Sequence, residues 1–282
     1  MLEASGTILL FGGCYSNLQA TRALLDEGRR LGIPTERILC TGDVVAYGAD
    51  PAATVALIRA SGCHVVMGNC EESLGERAED CGCGFTAGST CDRLSTAWYA
   101  HADARLDDDA RAWMRGLPRR IDLHIGGRRL AVIHGSPGKI NQFVFGSIPD
   151  DALRALIRDG KCADAEYGGV IGGHCGIPFT RVVDGLLWHN PGAIGMPGND
   201  GTPRVWFSVL EPGNSAIEIR HLPLDYDHGA AAAAMRAARL PEGYVDALSS
   251  GLWPSLDILT PEERARTGQA IMPQAVRWPR TG

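Results

Sequence analysis

Short apolar runs alternate with longer stretches of helical period along the first seventy residues. Thr7-Ile8-Leu9-Leu10-Phe11 is brief, apolar on both faces and closed by Gly12-Gly13, which predicts a fully buried strand. Asn17 then opens a helix whose apolar positions are Leu18, Ala20, Leu24, Leu25 and Leu31. Arg37–Cys40 predicts the second strand, and Asp50-Pro51 the next helix start, with Asp50 as N-cap and Pro51 at the first helical position. Cys63–Met67 predicts a third strand, ending in Gly68-Asn69-Cys70-Glu71. Strand and helix in strict alternation imply a mostly parallel sheet with right-handed crossovers.

The period then breaks. Residues 78–92 carry Cys81, Cys83 and Cys91 in a glycine-rich stretch with no repeat, read as a loop. Helical patterns return at Ser95–His101, Asp107–Gly116 and after Pro149. Ile121–Ile125 and Leu130–Ile133 flank Gly126-Gly127 and predict a hairpin. A strand ends at Gly173-His174, and antiparallel strands are expected from Phe179 to Ile219. Two helices, Ala230–Arg239 and Tyr244–Leu252, lead to a weakly patterned tail from about Ser255. No internal repeat or linker divides the chain, so one domain over 1–254 followed by a tail over 255–282 is expected.

Composition narrows the class. The chain has 282 residues, 45% hydrophobic and 21% charged, with a net charge of −6. That balance argues against general affinity for nucleic acid or an anionic membrane. No apolar run spans a bilayer and no signal-type N-terminus is visible, so the expected compartment is the cytoplasm. Nine cysteines in such a chain read better as thiols or metal ligands than as disulfides. No feature of the pattern sets an oligomeric state.

Four expected strand ends carry Asp43, Asn69, His134 and His174. One carboxylate, one amide oxygen and two imidazoles suit a divalent Mn, Fe or Zn ion. Any one of them alone reads better as a turn cap or a hydrogen-bonded core residue; four together point to a site. Gly42-Asp43, Gly68-Asn69, His134-Gly135-Ser136-Pro137, Gly173-His174 with Ile177-Pro178-Phe179, and Asn190-Pro191-Gly192 follow one another in a recognisable order. In this the chain resembles the calcineurin-like metallophosphoesterases, most closely their small single-domain bacterial branch, from about Thr7 to Leu252.

The resemblance implies a four-layer α/β/β/α sandwich of two mixed sheets flanked by helices, with the site at the strand ends. It also implies a di-metal centre that hydrolyses phosphate esters with a metal-activated hydroxide. Carried over by position, Asp43, Asn69, His134 and His174 are a complete ligand set for one metal. The other metal position is depleted: Gly13 and Tyr15 stand where the family has Asp and His, and Gly176 replaces its last His. Cys70 takes the place of the histidine that usually assists the leaving group, which makes Cys70 and His134 the catalytic candidates.

Cysteine recurs in each altered motif, as Cys14, Cys70 and Cys175, with Cys81, Cys83 and Cys91 close behind. With Tyr15 as a phenolate, these are candidates for an additional metal or thiol site, including an iron–thiolate or iron–sulfur centre. Cys40, Cys63 and Cys162 read as inert packing. Lys139 and Asn141 are candidates for contact with a small anionic substrate; Arg181 and Arg204 could serve likewise or form surface pairs. Three functions stay open at this level: an altered phosphoester hydrolase, a thiolate-supported redox or metal-handling protein, and a non-catalytic binding module.

Overall fold

In the computed structural model, residues 1–159 and 167–280 are described. Strand β1 (Leu2–Ala4) is followed by β2 (Ile8–Phe11), helix α1 (Leu18–Arg30), β3 (Ile38–Cys40), α2 (Pro51–Ser61) and β4 (His64–Val65). Helices α3 (Asn69–Glu76), α4 (Thr90–Asp103) and α5 (Asp108–Arg115) then precede the hairpin of β5 (Arg120–Ile125) and β6 (Arg128–Ile133). Next come α6 (Asp150–Asp159), β7 (Tyr167–Ile171), β8 (Phe179–Val183), β9 (Leu186–Asn190), β10 (Val205–Pro212) and β11 (Ala216–Leu224). The chain closes with α7 (His228–Ala237), α8 (Glu242–Ser250), α9 (Pro261–Ala265) and β12 (Ala275–Pro279).

The strands form two six-stranded sheets, ordered β1-β5-β6-β7-β9-β8 and β12-β11-β10-β2-β3-β4. Both are mixed: β6, β7 and β9 run parallel in the first, as do β2, β3 and β4 in the second, while their other partners are mostly antiparallel. Every side chain of β2 is buried because each face meets a different layer. Ile8 and Leu10 join Leu123, Leu130, Val132, Leu187 and Leu210 between the sheets. Leu9 and Phe11 face the other way, onto Leu24, Val55, Ile58, Trp98 and Met114 of the helices. A smaller core packs Leu153 and Ile157 of α6 against Val170 and Trp188 on the outer face of the first sheet. Helix, sheet, sheet, helix is therefore the order of layers.

Local chemistry accounts for the boundaries. Asn17 caps α1 by accepting from the Ala20 amide at 3.0 Å. Asp50 precedes Pro51 as expected but makes no side-chain cap, so the proline alone defines that start. The expected run of antiparallel strands from Phe179 is divided: β8–β9 belongs to the first sheet and β10–β11 to the second. The weakly patterned tail also adds a strand to the second sheet. Strand β12 pairs with β11, and Trp278 is completely buried between the sheets. Its pattern of one tryptophan among exposed residues is that of an edge strand covered on one face only. No helix among the described residues is long and apolar enough to cross a membrane.

Candidate metal centre

Asp43 follows β3, Asn69 follows β4, His134 follows β6 and His174 follows β7, so both sheets aim strand ends at one place. The turn that delivers Asp43 is tight. Gly42 has φ +95°, and a Cβ there would lie 2.8 Å from both the Gly68 nitrogen and His134 Nδ1. Asp43 itself is left-handed at φ +57°, and His174 at φ +59°. Left-handed backbone at these two non-glycine donors is held in place by its surroundings.

The hydrogen bonds assign the lone pairs. His134 Nδ1 donates to the Thr41 carbonyl at 2.6 Å, which leaves Nε2 facing inward. Around Nε2 lie Asn69 Oδ1 at 3.1 Å, His174 Nδ1 at 3.0 Å and Asp43 Oδ2 at 3.3 Å. Asn69 Nδ2 donates away from the site, to the Cys81 carbonyl at 2.9 Å, so its oxygen points in. The Cys70 amide holds Asp43 Oδ1 at 3.2 Å, leaving Oδ2 for the centre. Four electron-pair donors thus meet at one buried point, where only a proton or a cation relieves their repulsion. Ligand atoms of Asp43, His134 and His174 all lie within 4.8 Å of one another. The set fits a divalent transition ion: hard and borderline oxygen and nitrogen donors at metal-type spacing.

Charge states follow from the same contacts. Burial works to raise the Asp43 carboxyl, but His134, His174 and the Cys70 amide outweigh it and hold the group below its usual value. For His134, burial opposes protonation and Asp43 wins, so the imidazole is raised. Burial and the neighbouring His134 push His174 down to about 3, a neutral ring with a lone pair to give. Phe143 stacks on that ring at 4.1 Å between centroids.

One residue of the centre escaped sequence reasoning. Glu71 is fully buried and accepts from the amides of Asp43 at 2.7 Å, Gly68 at 2.9 Å and Val45 at 3.2 Å. It ties the two ligand-bearing turns together, and burial followed by Asp43's charge raises it to about 7. Its signal was present in Gly68-Asn69-Cys70-Glu71, where a glutamate at the third helical position suggests a capping role.

The depleted half of the centre is filled by an aromatic ring. A Cβ on Gly13 would fall 2.3 Å from Tyr15 Cζ, and one on Gly176 would come 3.4 Å from the Tyr15 hydroxyl. Tyr15 therefore lies across the places where ligand side chains at 13 and 176 would project. Burial, then the charge of Asp43, pushes its phenol well above the usual range, which disfavours a phenolate.

The cysteines separate into groups. Cys14 contacts Cys40 in the core, in line with simple packing. Cys175 is buried, takes the Asn190 amide at 3.1 Å and borders the pocket described below. Cys91 stands in the first turn of α4 rather than in a loop. Cys70, Cys81 and Cys83 gather behind Asn69, whose Nδ2 lies 3.6 Å from Cys70 Sγ and 3.3 Å from Cys83 Sγ. Their sulfur atoms back the amide rather than join the four donors. Cys162 lies outside the described residues.

Beside the donors is a pocket of about 690 Å³, counting its open mouth, walled by Tyr15, Tyr47, Phe143, Met196, Tyr244 and Trp253. Its edge includes Asp43 and His174, and no lysine or arginine lines it among the described residues. Lys139 is exposed and borders a separate depression with Arg119 and Arg120. Asn141 uses its side chain to hold the Gly82 carbonyl at 2.7 Å. Arg181 bonds the Gly146 and Ile148 carbonyls and pairs with Asp150; Arg204 bonds Ile271 and pairs with Asp200. Those two arginines are structural.

The chain is 28% identical over 254 residues to an uncharacterized protein of Methanocaldococcus jannaschii, covering 83% of this chain and 94% of that one. A hypothetical protein of Pyrococcus horikoshii has a similar crystal structure, with TM-score 0.72, 18% identity and coverage of 88% and 99%. So has a metallophosphoesterase of Sphaerobacter thermophilus, with TM-score 0.64, 23% identity and coverage of 88% and 99%. At these identities the two structures bear on the fold, and the fold agrees. With the calcineurin-like phosphoesterase model matched across residues 8–212, the chain belongs to that superfamily.

Proposed function

We propose that the protein is a metal-dependent phosphoester hydrolase working through a single ion held by Asp43, Asn69, His134 and His174. The observation that carries this reading is the convergence of four inward lone pairs on one point, those of His134, Asn69 and Asp43 each oriented by a hydrogen bond on its far side. A divalent ion there would polarise the phosphoryl oxygen and acidify water. The protein's own groups do the rest. Thr41 fixes the His134 tautomer, Glu71 holds Asp43 against Asn69, and Phe143 sets the plane of His174.

The cation-free, aromatic pocket supports a substrate that brings an apolar group beside its phosphate, since no side chain there balances further negative charge. Oxygen and nitrogen donors with no sulfur among them favour manganese, zinc or ferrous iron over a thiolate-held ion. The neutral state of Cys70 leaves it a weak proton donor, so leaving-group assistance at this centre is modest.

The test is metal analysis of protein purified without chelator, beside hydrolysis of an aryl phosphate ester. One equivalent of metal is expected, with metal-stimulated turnover. His174→Ala should lower metal affinity at least about tenfold and abolish that stimulation. Unchanged metal content in the variant would defeat the assignment.

A further inference from the structure

Behind the metal ligand Asn69, outside the set of donors, lies a cluster of thiols with a geometry of its own. Cys81 and Cys83 are separated by Gly82, whose φ of +65° turns the chain so that both side chains reach the same spot. Their sulfurs are 2.6 Å apart, closer than two non-bonded sulfur atoms rest. The loop is tied on both sides: Asp80 accepts from the Gly82 amide at 2.8 Å and Asn141 donates to its carbonyl at 2.7 Å. Cys83 also forms part of the wall of the open pocket, which gives a small molecule a route to it.

We propose that Cys81 and Cys83 are a reversible dithiol–disulfide couple that adjusts the metal centre through Asn69. The coupling half of this rests on the metal position proposed above. Both the Cys81 carbonyl, at 2.9 Å, and Cys83 Sγ, at 3.3 Å, take the Asn69 amide group. The same amide decides where Asn69 Oδ1 points. Forming the bond draws the sulfurs from 2.6 Å toward the roughly 2.05 Å of a disulfide and shifts the acceptors that aim Asn69.

The chemistry balances with a small-molecule disulfide as oxidant. Two S–H bonds are lost, one S–S bond forms, and two protons and two electrons reduce the oxidant to two thiols. A ring closed over only three residues removes little entropy from the unfolded chain, so the bond is a poor staple and an easily reversed switch. Cys70, beside Cys83, is a third thiol and so a competing partner.

The experiment equilibrates the full chain with oxidised or reduced glutathione, quenches by alkylation and maps the thiols by mass spectrometry. Zinc affinity is then measured on each form by calorimetry. The oxidised form should lose two thiols within the Cys81–Cys83 peptide and bind zinc about tenfold more weakly. Cys81→Ser combined with Cys70→Ser, which removes the competing partner, should keep Cys83 free and show the same zinc affinity in both buffers. Retention of both thiols, or a bond from Cys83 to Cys70 instead, overturns the couple. A mapped Cys81–Cys83 bond with equal zinc affinity in both forms overturns the coupling. Zinc bound by neither form would count against the metal position itself, while the thiol map still decides the couple.

Discussion

Among the described residues two pairs of buried histidines stand with ring centroids 4.9 Å apart, and one of them belongs to the candidate metal site. His189 lies in β9 and His221 in β11, joined through Thr180 Oγ1 at 2.9 and 2.8 Å, with Ser208 at 2.7 Å beyond. Hydroxyls that both give and accept complete that chain. His134 and His174 instead meet a carboxylate and an amide oxygen, two acceptors that cannot donate to either ring. Burial and residue type are the same in both pairs. What distinguishes a metal centre is a surplus of lone pairs.

Acid should act strongly on the hydroxyl-linked pair. Burial pushes His221 down to about 4, and burial followed by His221's proximity pushes His189 well below its ordinary value. Groups whose folded values lie below the unfolded 6.5 add full stability above that pH. The contribution is lost as pH falls from about 6.5 toward 4, because the unfolded chain takes protons the folded one refuses. For His221 the loss amounts to roughly 3 kcal/mol. Urea unfolding of zinc-loaded protein across that range should show it, and His221→Phe should flatten the slope by about one proton. An unchanged slope would mean these rings are not neutral in the fold.

Glycines on either side of the centre sharpen the contrast further. Gly42 has φ +95°, and an added Cβ would press on the Gly68 nitrogen and His134 Nδ1 at 2.8 Å. Gly42→Ala should therefore cost about 3 kcal/mol and weaken metal binding as well. Gly176, in the altered half, has φ +70° but meets nothing nearer than the Tyr15 hydroxyl at 3.4 Å. Gly176→Ala should cost only about 1 kcal/mol, the penalty of its backbone region, with metal affinity intact. Thermal melts and zinc titrations of the two variants read both quantities; equal costs would show that the retained and altered halves are packed alike.

Most of the fold was legible because its signals are local. Buried strands such as Ile8–Phe11 are short apolar runs between glycines, and Asn17 marks a helix start by its own side chain. Asp43, Asn69, His134 and His174 were legible because each follows closely on the end of a strand. Strand β12 was not, since Trp278 reveals its role only when a sheet edge formed by residues some sixty positions earlier covers it. The couple behind Asn69 was half visible: the Cys-Gly-Cys spacing marked a thiol site, but its contact with the amide of a ligand is tertiary. Lys139 and Asn141 were read from their nearness in sequence to His134, and sequence distance says nothing about which way a loop side chain turns.

The smallest effect is expected at Tyr15, and it discriminates most cleanly between filling a site and serving it. The ring covers Gly13 and reaches toward Gly176, packing edge-on against Tyr47 at 4.9 Å. Its hydroxyl has no hydrogen-bond partner among the described residues, and burial and Asp43 keep its proton on. If the ring is there for its volume, Tyr15→Phe keeps everything that matters. The variant should bind one metal equivalent with unchanged affinity and lose less than about 0.5 kcal/mol of stability, as an unpaired hydroxyl contributes little. A phenolate ligand would behave differently: its removal should lower metal affinity at least about tenfold and abolish any charge-transfer absorption of a ferric form. Calorimetry with zinc and an absorption spectrum of the iron-loaded protein therefore decide whether Tyr15 blocks a second ion or holds one.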